Sequence, residues 1–427
     1  MSRHYSRPFL TMLTTACATA LLTICSPVLA LDLDKALRDV ASKNRLVGMS
    51  AVVVADGSAD SVFHYGFSDL DQQRPVNDRT MYRIASISKM ATAVAVMKLY
   101  EAGKIDLDRD VSDYLGFSLR HPEFAGVPIT AKMLLSHTSG LRDGKGYFDF
   151  SSGALTPESP FGIRTLLQES GKYFTADMWG SEQPGPFFTY ANVNSGVLGT
   201  LVEKVSGQRF DLFVKQEILE PLGMDGGFNV YEIEGIENLA VLYRASEPQA
   251  DRFAGGHPAR DFSAYRPGHN GLLFGPQGSL RTSAVSLVRF MKMLMNGGEY
   301  DGVRILKPET VALMDGAVWT FNGKNGDSYH NLFHEWGLGP HRITGQKGGD
   351  RIFGNLPMVG HAGEAYGLIS DMYFNREKGV GVVFITNGLL DSGTFEYGED
   401  SAFYAPEEET FKVVEKYLNL SSRTPRK

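Results

Sequence analysis

The chain has 427 residues, 43% of them hydrophobic and 21% charged, proportions of a soluble globular protein long enough for two ordinary domains or one large domain with an insertion. Its formal charge of −7, with the acidic residues scattered and no basic patch, gives no basis for nucleic-acid binding. Both cysteines, Cys17 and Cys25, fall within the first 30 residues.

Those 30 residues have the layout of a secretory signal: Arg3 and Arg7, an apolar run over 9–24, and the small-residue site Val28-Leu29-Ala30. Threonines interrupt the run, which is shorter than the roughly 20 apolar residues a membrane span needs. Cleavage after Ala30 is therefore expected rather than anchoring, and Ile24 is too bulky for a lipoprotein site at Cys25. Cleavage removes both cysteines and with them any disulfide or thiol chemistry. The 42 Lys and Arg less Arg3 and Arg7, against 49 Asp and Glu, leave a formal −9. An exported, cysteine-free, mildly acidic chain fits a periplasmic or secreted location.

Residues 32–43 have helical spacing, with Leu33, Leu37 and Val40 on one side. Two strands are expected at 49–55 and 61–67 around the turn Asp56-Gly57-Ser58. The stretch Tyr82-Arg83-Ile84-Ala85-Ser86-Ile87-Ser88-Lys89 then opens a helix that ends near Gly103, a fitting C-cap. Ser86 and Lys89 stand three apart, which on a helix puts amine and hydroxyl on one face within reach of each other. A serine hydroxyl is a poor nucleophile until a nearby base takes its proton, so the pair is a candidate catalytic unit. Ser-x-x-Lys also arises by chance, and the pair needs support from elsewhere.

From 104 to 274 the chain reads as helical segments and long loops with few strand signals. A short helix from 129 runs into a turn at 136–141, where His137 has a structural role. Helices are expected at 192–206, stopped by Gly207, and at 210–219, before Pro221. The Gly- and Pro-rich stretches 140–162 and 251–278 read as surface loops that border a binding site. Beyond 278 come an amphipathic helix at 283–296, strands at 335–343, 366–374 and 379–386, a closing helix at 405–418 and a tail at 421–427. Strands, a helical insertion, then strands and a helix argue for an α+β architecture whose sheet is assembled from both ends of the chain.

Two further clusters carry chemistry. Tyr190-Ala191-Asn192 precedes the 192–206 helix: a Tyr hydroxyl can relay a proton, and an Asn amide can hold a substrate amide or the lysine. The competing reading is a packed Tyr and an Asn acting as helix cap. His361-Ala362-Gly363 precedes the expected 366–374 strand, where Gly lets a substrate backbone lie against the strand edge.

Taken in order, Ser86-x-x-Lys89, Tyr190-x-Asn192 and His361-x-Gly363 resemble the signature of the penicillin-recognising serine hydrolases, in the branch of class C β-lactamases, DD-carboxypeptidases, related esterases and D-amino-acid peptidases. Leu134-Leu135-Ser136-His137-Thr138-Ser139-Gly140, Glu220-Pro221-Leu222-Gly223-Met224 and Gly275-Pro276-Gln277-Gly278-Ser279-Leu280 also look like phrases of that family. The resemblance covers nearly all of the chain from residue 49 onward. It implies a mostly antiparallel sheet flanked by helices, built from 31–103 and 275–420, with an all-helical domain inserted at 104–274 and a cleft between the two. It implies Ser86 as nucleophile, with Lys89 and Tyr190 moving its proton, which requires Lys89 partly neutral or Tyr190 partly anionic. It further implies an oxyanion hole from the backbone N–H groups of Ser86 and Glu364, Asn192 orienting a substrate amide, and release of the acyl group by water. No cofactor or metal is implied. The substrate would be a cell-wall-type peptide, a β-lactam or an ester, handled by β-lactamase-like or D-Ala-D-Ala carboxypeptidase-like hydrolysis.

The chain departs from that pattern at one place. His361 stands where many members have Lys, Ala362 removes a hydroxyl that grips a carboxylate, and Glu364 adds negative charge. All three point away from substrates with a free carboxylate, and His361 suggests activity that changes across about pH 6–7. Two rivals remain. A metal-assisted hydrolase would use His330, His334 and His341 with Glu335, in a segment that reads as loop then strand. A non-catalytic penicillin-binding or sensor protein would keep the scaffold and lose a catalytic side chain, whereas Ser86, Lys89, Tyr190 and Asn192 are all present. Tyr147, Phe148, Phe161, Tyr173, Trp179, Phe187 and Phe188 suggest either an apolar pocket or inter-domain packing.

Overall fold

The computed structural model describes Met1 and residues 31–420, apart from 56–57, 254–255 and 257–259. The expected signal segment after Met1, both cysteines and the tail 421–427 lie outside the described residues. Nine strands form one antiparallel sheet in the order Trp319–Thr320, Glu335–Trp336, His341–Ile343, Met358–Ala365, Leu368–Asn375, Val380–Thr386, Gly48–Val54, Ser61–Asp69 and Arg74–Pro75. The sheet therefore joins strands from both ends of the chain.

The strand Gly48–Val54 is buried along its whole length, as a strand covered on both faces must be. Its side chains alternate between two cores: Val52 and Val54 enter the one that includes Ala93 and Met291, while Met49, Ala51 and Val53 point the other way. The helices Ser88–Glu101 and Ala284–Met295 thus cover one face, and Leu33–Lys43 and Ala405–Tyr417 the other. Residues 104–274 carry helices such as Ala131–Leu135, Lys145–Gly153 and Asn192–Ser206 and, among the described residues, a small ladder of Leu242–Arg244 on Glu247–Ala250. No helix among the described residues is long and apolar enough to cross a membrane.

Three segments differ from the sequence expectation. The strand expected at 335–343 is two strands, Glu335–Trp336 and His341–Ile343, because Gly337, Gly339 (φ 111°) and Pro340 turn the chain back on itself. The stretch 140–162 is not all loop: Lys145–Gly153 is a helix that buries Tyr147 and Phe150. His361 does not precede a strand but lies within one, Met358–Ala365, joined to Leu368–Asn375 by the two-residue turn Tyr366-Gly367 with φ of 56° and 93°. Two positive φ values in a two-residue loop match the twist of a hairpin.

This hairpin leaves an edge open. On this side His341–Ile343 reaches only Met358, Val359 and Gly360, so among the described residues no strand covers the other edge of residues 361–365. By alternation His361 and Gly363 face the side of the Ser88–Glu101 helix, and Ala362 and Glu364 face the terminal helices.

Beneath that second face, Asp371, opposite Ala362 in register, meets Glu407 in the first turn of Ala405–Tyr417. Both are buried, and burial pushes both carboxyls up, Glu407 to about 8. Raised folded-state pKa values contribute stability that is present below the ordinary carboxylate range and lost as pH rises through about 8. We expect Tm to fall on the order of a few °C between pH 6 and 9, and Asp371→Asn to flatten that slope in thermal melts.

Candidate active site

The strand Met81–Arg83 runs into a single 3-10 turn, Ala85–Ile87, from which the helix Ser88–Glu101 departs. Ala85 has φ 46°, a left-handed conformation that costs on the order of 1–3 kcal/mol and persists only where the surroundings hold it. They do: Ser370 Oγ donates to the Ile84 carbonyl at 3.0 Å, Ile84 N–H donates to Leu280 O at 2.9 Å, and Leu280 N–H donates to Ser88 Oγ at 3.0 Å. Gly363 lets the strand close on this turn, since a Cβ there would stand 2.6 Å from Ile84 O and 3.0 Å from the Ser86 nitrogen.

Lys89 is 4% exposed. Its Nζ reaches Ser86 Oγ at 2.9 Å, Asn192 Oδ1 at 2.8 Å and the Gln277 carbonyl at 2.8 Å. Burial lowers its pKa to about 7, and the charge of Asp143 opposes the shift only in part. A neutral amine has two hydrogens and one lone pair. Asn192 Oδ1 and Gln277 O accept only, so they take the two hydrogens and the lone pair faces the Ser86 hydroxyl.

Tyr190 hydrogen-bonds with Ser86, and burial holds its phenol far above the ordinary range, so it is a neutral hydroxyl and not a phenolate. Of the two states the sequence left open, the environment selects a partly neutral lysine. The ring is clamped by His137, stacked at 4.5 Å between centroids, and by Phe333 at 5.6 Å. His137 is buried and accepts at Nδ1 from Ala191 N–H at 3.2 Å and Asn194 Nδ2 at 3.1 Å, which ties the turn at 136–141 to the Tyr190 segment.

Asn192 is not a helix cap. The cap position of Asn192–Ser206 is Ala191, which has no side-chain acceptor. Asp143 caps from 49 residues away: its Oδ2 accepts from Asn192 N at 2.9 Å and Nδ2 at 2.8 Å, and its Oδ1 from Val193 N at 2.9 Å. The same contacts orient the Asn192 amide with Oδ1 toward Lys89. The sequence reading missed Asp143, although a helix beginning after Ala191 is a helix lacking its own cap.

Ser86, Tyr190, Asn192, His361, Gly363 and Glu364 all line one cavity of about 290 Å3 that wraps the free strand edge. His361 is 2% exposed; burial first, then the nearby Lys89, lowers its pKa to about 3. It is therefore neutral across pH 6–7, and Lys89, not His361, is the group of the pair that titrates near 7. Its Nδ1 faces the Ala362 carbonyl at 2.5 Å and must carry the proton, leaving Nε2 an acceptor. Glu364 is exposed and accepts from the Tyr404 hydroxyl at 2.9 Å. The cavity's aromatic wall is Tyr329, Phe333, Tyr397, Phe403 and Tyr404, not the expected aromatics of 147–188, of which Phe188 packs on Trp319 and Phe148 is exposed.

The histidines of the metal reading disperse. His334 Nε2 lies 2.9 Å from Asn331 O, buried His341 pairs through Nδ1 with the Tyr373 hydroxyl at 3.0 Å, and His330 packs on Tyr397. Among the described residues no three His, Cys, Asp or Glu side chains group as a metal site. A serine–histidine–aspartate chain also exists, Ser50 to His64 at 3.0 Å and His64 to Asp78 at 2.8 Å, but Ser50 is sealed in the core at 1% exposure.

Known proteins bear on this geometry. The Beta-lactamase family profile matches residues 33–404. Penicillin-binding protein 4 of Amycolatopsis lactamdurans is 26% identical over 366 residues, covering 83% of this chain and 84% of that one. Esterase EstB of Burkholderia gladioli is 31% identical over 236 residues, covering 53% of this chain and 58% of its own. The D-amino acid amidase from Ochrobactrum anthropi SV3, solved with D-phenylalanine, shares the fold, with a TM-score of 0.63 and 22% identity over 92% of this chain and 100% of that one.

Asp143→Ala tests the clamp in two ways. Losing the cap should cost about 0.5–2 kcal/mol in denaturant unfolding. Losing the opposing charge should move the Lys89 titration below about 7, so the pH midpoint for labelling of Ser86 by a fluorophosphonate shifts toward acid.

Proposed function

The chain belongs to the beta-lactamase family, a serine hydrolase family with penicillin-binding, esterase and amidase relatives, and from that membership we propose a hydrolase that forms an acyl-enzyme at Ser86 on ester or amide carbonyls. The observation that carries this reading is the Lys89 amine, 2.9 Å from Ser86 Oγ and half neutral near pH 7, with its other two contacts to acceptors. Ser86 Oγ attacks the carbonyl carbon while its proton passes to the lone pair of Lys89. The tetrahedral oxyanion meets the backbone N–H groups of Ser86 and Glu364, a place that the closeness of Gly363 to the Ser86 nitrogen supports. The bond to the leaving oxygen or nitrogen then breaks, and the neutral Tyr190 hydroxyl hands that atom a proton and is refilled from Lys89. Water repeats the sequence in reverse and frees the acid.

Among the described residues the cavity lining holds no Lys or Arg, its histidine within the edge strand is neutral, and Glu364 is exposed within it. This supports neutral or cationic substrates over β-lactams and D-Ala-D-Ala termini, which bring a carboxylate. The basic start and apolar run of residues 1–30 support export with cleavage after Ala30, and N-terminal sequencing of secreted protein starting at Leu31 is the expected outcome.

Intact mass after incubation with a fluorophosphonate should rise by one adduct, absent in Ser86→Ala, and the same variant should lose turnover of p-nitrophenyl acetate by at least about 1,000-fold. Turnover by the native chain should climb with pH through about 7 and level off above it. That limb should remain in His361→Asn; its disappearance there would assign it to the histidine.

A further inference from the structure

Resting on the acyl-enzyme reading, we infer that the preferred substrate carries a protonated amine, seated against Glu364 and Glu407 on the far side of the open strand edge from Ser86. Both carboxyls line the same cavity as the nucleophile. Gly363 faces Ser86, so its neighbour Glu364 projects to the opposite face, where Tyr404 steers it by donating to Oε2 at 2.9 Å. Glu407 stands beside it in the first turn of its helix, its Oε2 held by Tyr404 N–H at 2.7 Å.

Acceptors outnumber donors around this space. Among the described residues His361 Nε2 has no partner although the ring is buried against the cavity. Among the described residues no Lys or Arg lines the cavity to balance Glu364, and Glu407, pushed up to about 8, adds an acceptor rather than a full charge. A ligand group that brings hydrogen-bond donors and positive charge meets both shortfalls, and an ammonium does so with three N–H bonds. Tyr397, half exposed and stacked on Tyr404 at 5.0 Å, offers a ring to the same cation.

The test is a set of matched p-nitrophenyl esters whose acyl chains end in methyl, ammonium or carboxylate, with the same three ends placed on the alcohol of acetate esters. On one side of the scissile bond the ammonium ester should exceed the methyl ester in kcat/KM by about tenfold or more, and the carboxylate ester should fall below it. Glu364→Gln should bring the ammonium-to-methyl ratio to within about threefold of unity, as should high salt at so exposed a carboxylate. An ammonium ester no better than methyl on either side, or a ratio unchanged in Glu364→Gln, overturns the amine assignment while leaving the hydrolase reading in place. Full turnover of the series by Ser86→Ala, or none by the native chain, overturns the hydrolase reading and this inference with it.

Discussion

An amine buried in the core beside Ser86 is the constraint on which the rest of the site depends. Lys89 is enclosed by the core, and its three contacts are two acceptors and one hydroxyl. Desolvation penalises charge whatever its sign, so one environment lowers the lysine toward 7 and drives the Tyr190 phenol upward. The result is a half-neutral base and a neutral hydroxyl side by side, both in contact with Ser86. Asp143 moderates the first shift and fixes the orientation of Asn192, so the half-buried carboxylate sets how basic the lysine is as well as where it points.

The fold supplies the other requirement, an open strand edge beside that base. The hairpin of Met358–Ala365 and Leu368–Asn375 is long, its outer neighbour His341–Ile343 is short, and the difference leaves the outer edge of residues 361–365 unpaired among the described residues. Ser370 on the inner strand pins the turn that carries Ser86, and Gly363 on the outer strand allows contact with it. Ser86 and the strand edge are thus held together by contacts from one hairpin, which suits a site whose geometry must hold to fractions of an ångström. Because side chains alternate along that edge, Ser86, Lys89 and Tyr190 lie on one face of it and Glu364, Glu407 and Tyr404 on the other.

Much of this was legible in the sequence, and what was not has identifiable causes. Ser86, Lys89, Tyr190 and Asn192 stood out because their spacing and order are chemical requirements, and the structure brings all four together. Met358–Ala365 was missed because two glycines and two alanines give it little strand propensity; pairing along Leu368–Asn375 supplies what the local sequence lacks. Its turn begins with Tyr366, a residue seldom found at positive φ. Asp143 escaped notice because a cap delivered from 49 residues away leaves only a negative trace, a helix opening after alanine. The charge state of His361 was misjudged for a simpler reason: burial is a tertiary property, and a histidine near pH 6.5 in water is held neutral here.

The central claim is that one buried lysine is neutral at the pH where the others are charged. Titrating the protein with 13C-labelled lysine side chains and following the Cε shifts by NMR tests it directly, with Lys89→Met to assign the signal. A single resonance with a midpoint near pH 7, missing in that variant, is the predicted result. If every lysine titrates near the ordinary value of about 10.4, Lys89 stays charged beside Ser86 and the account fails.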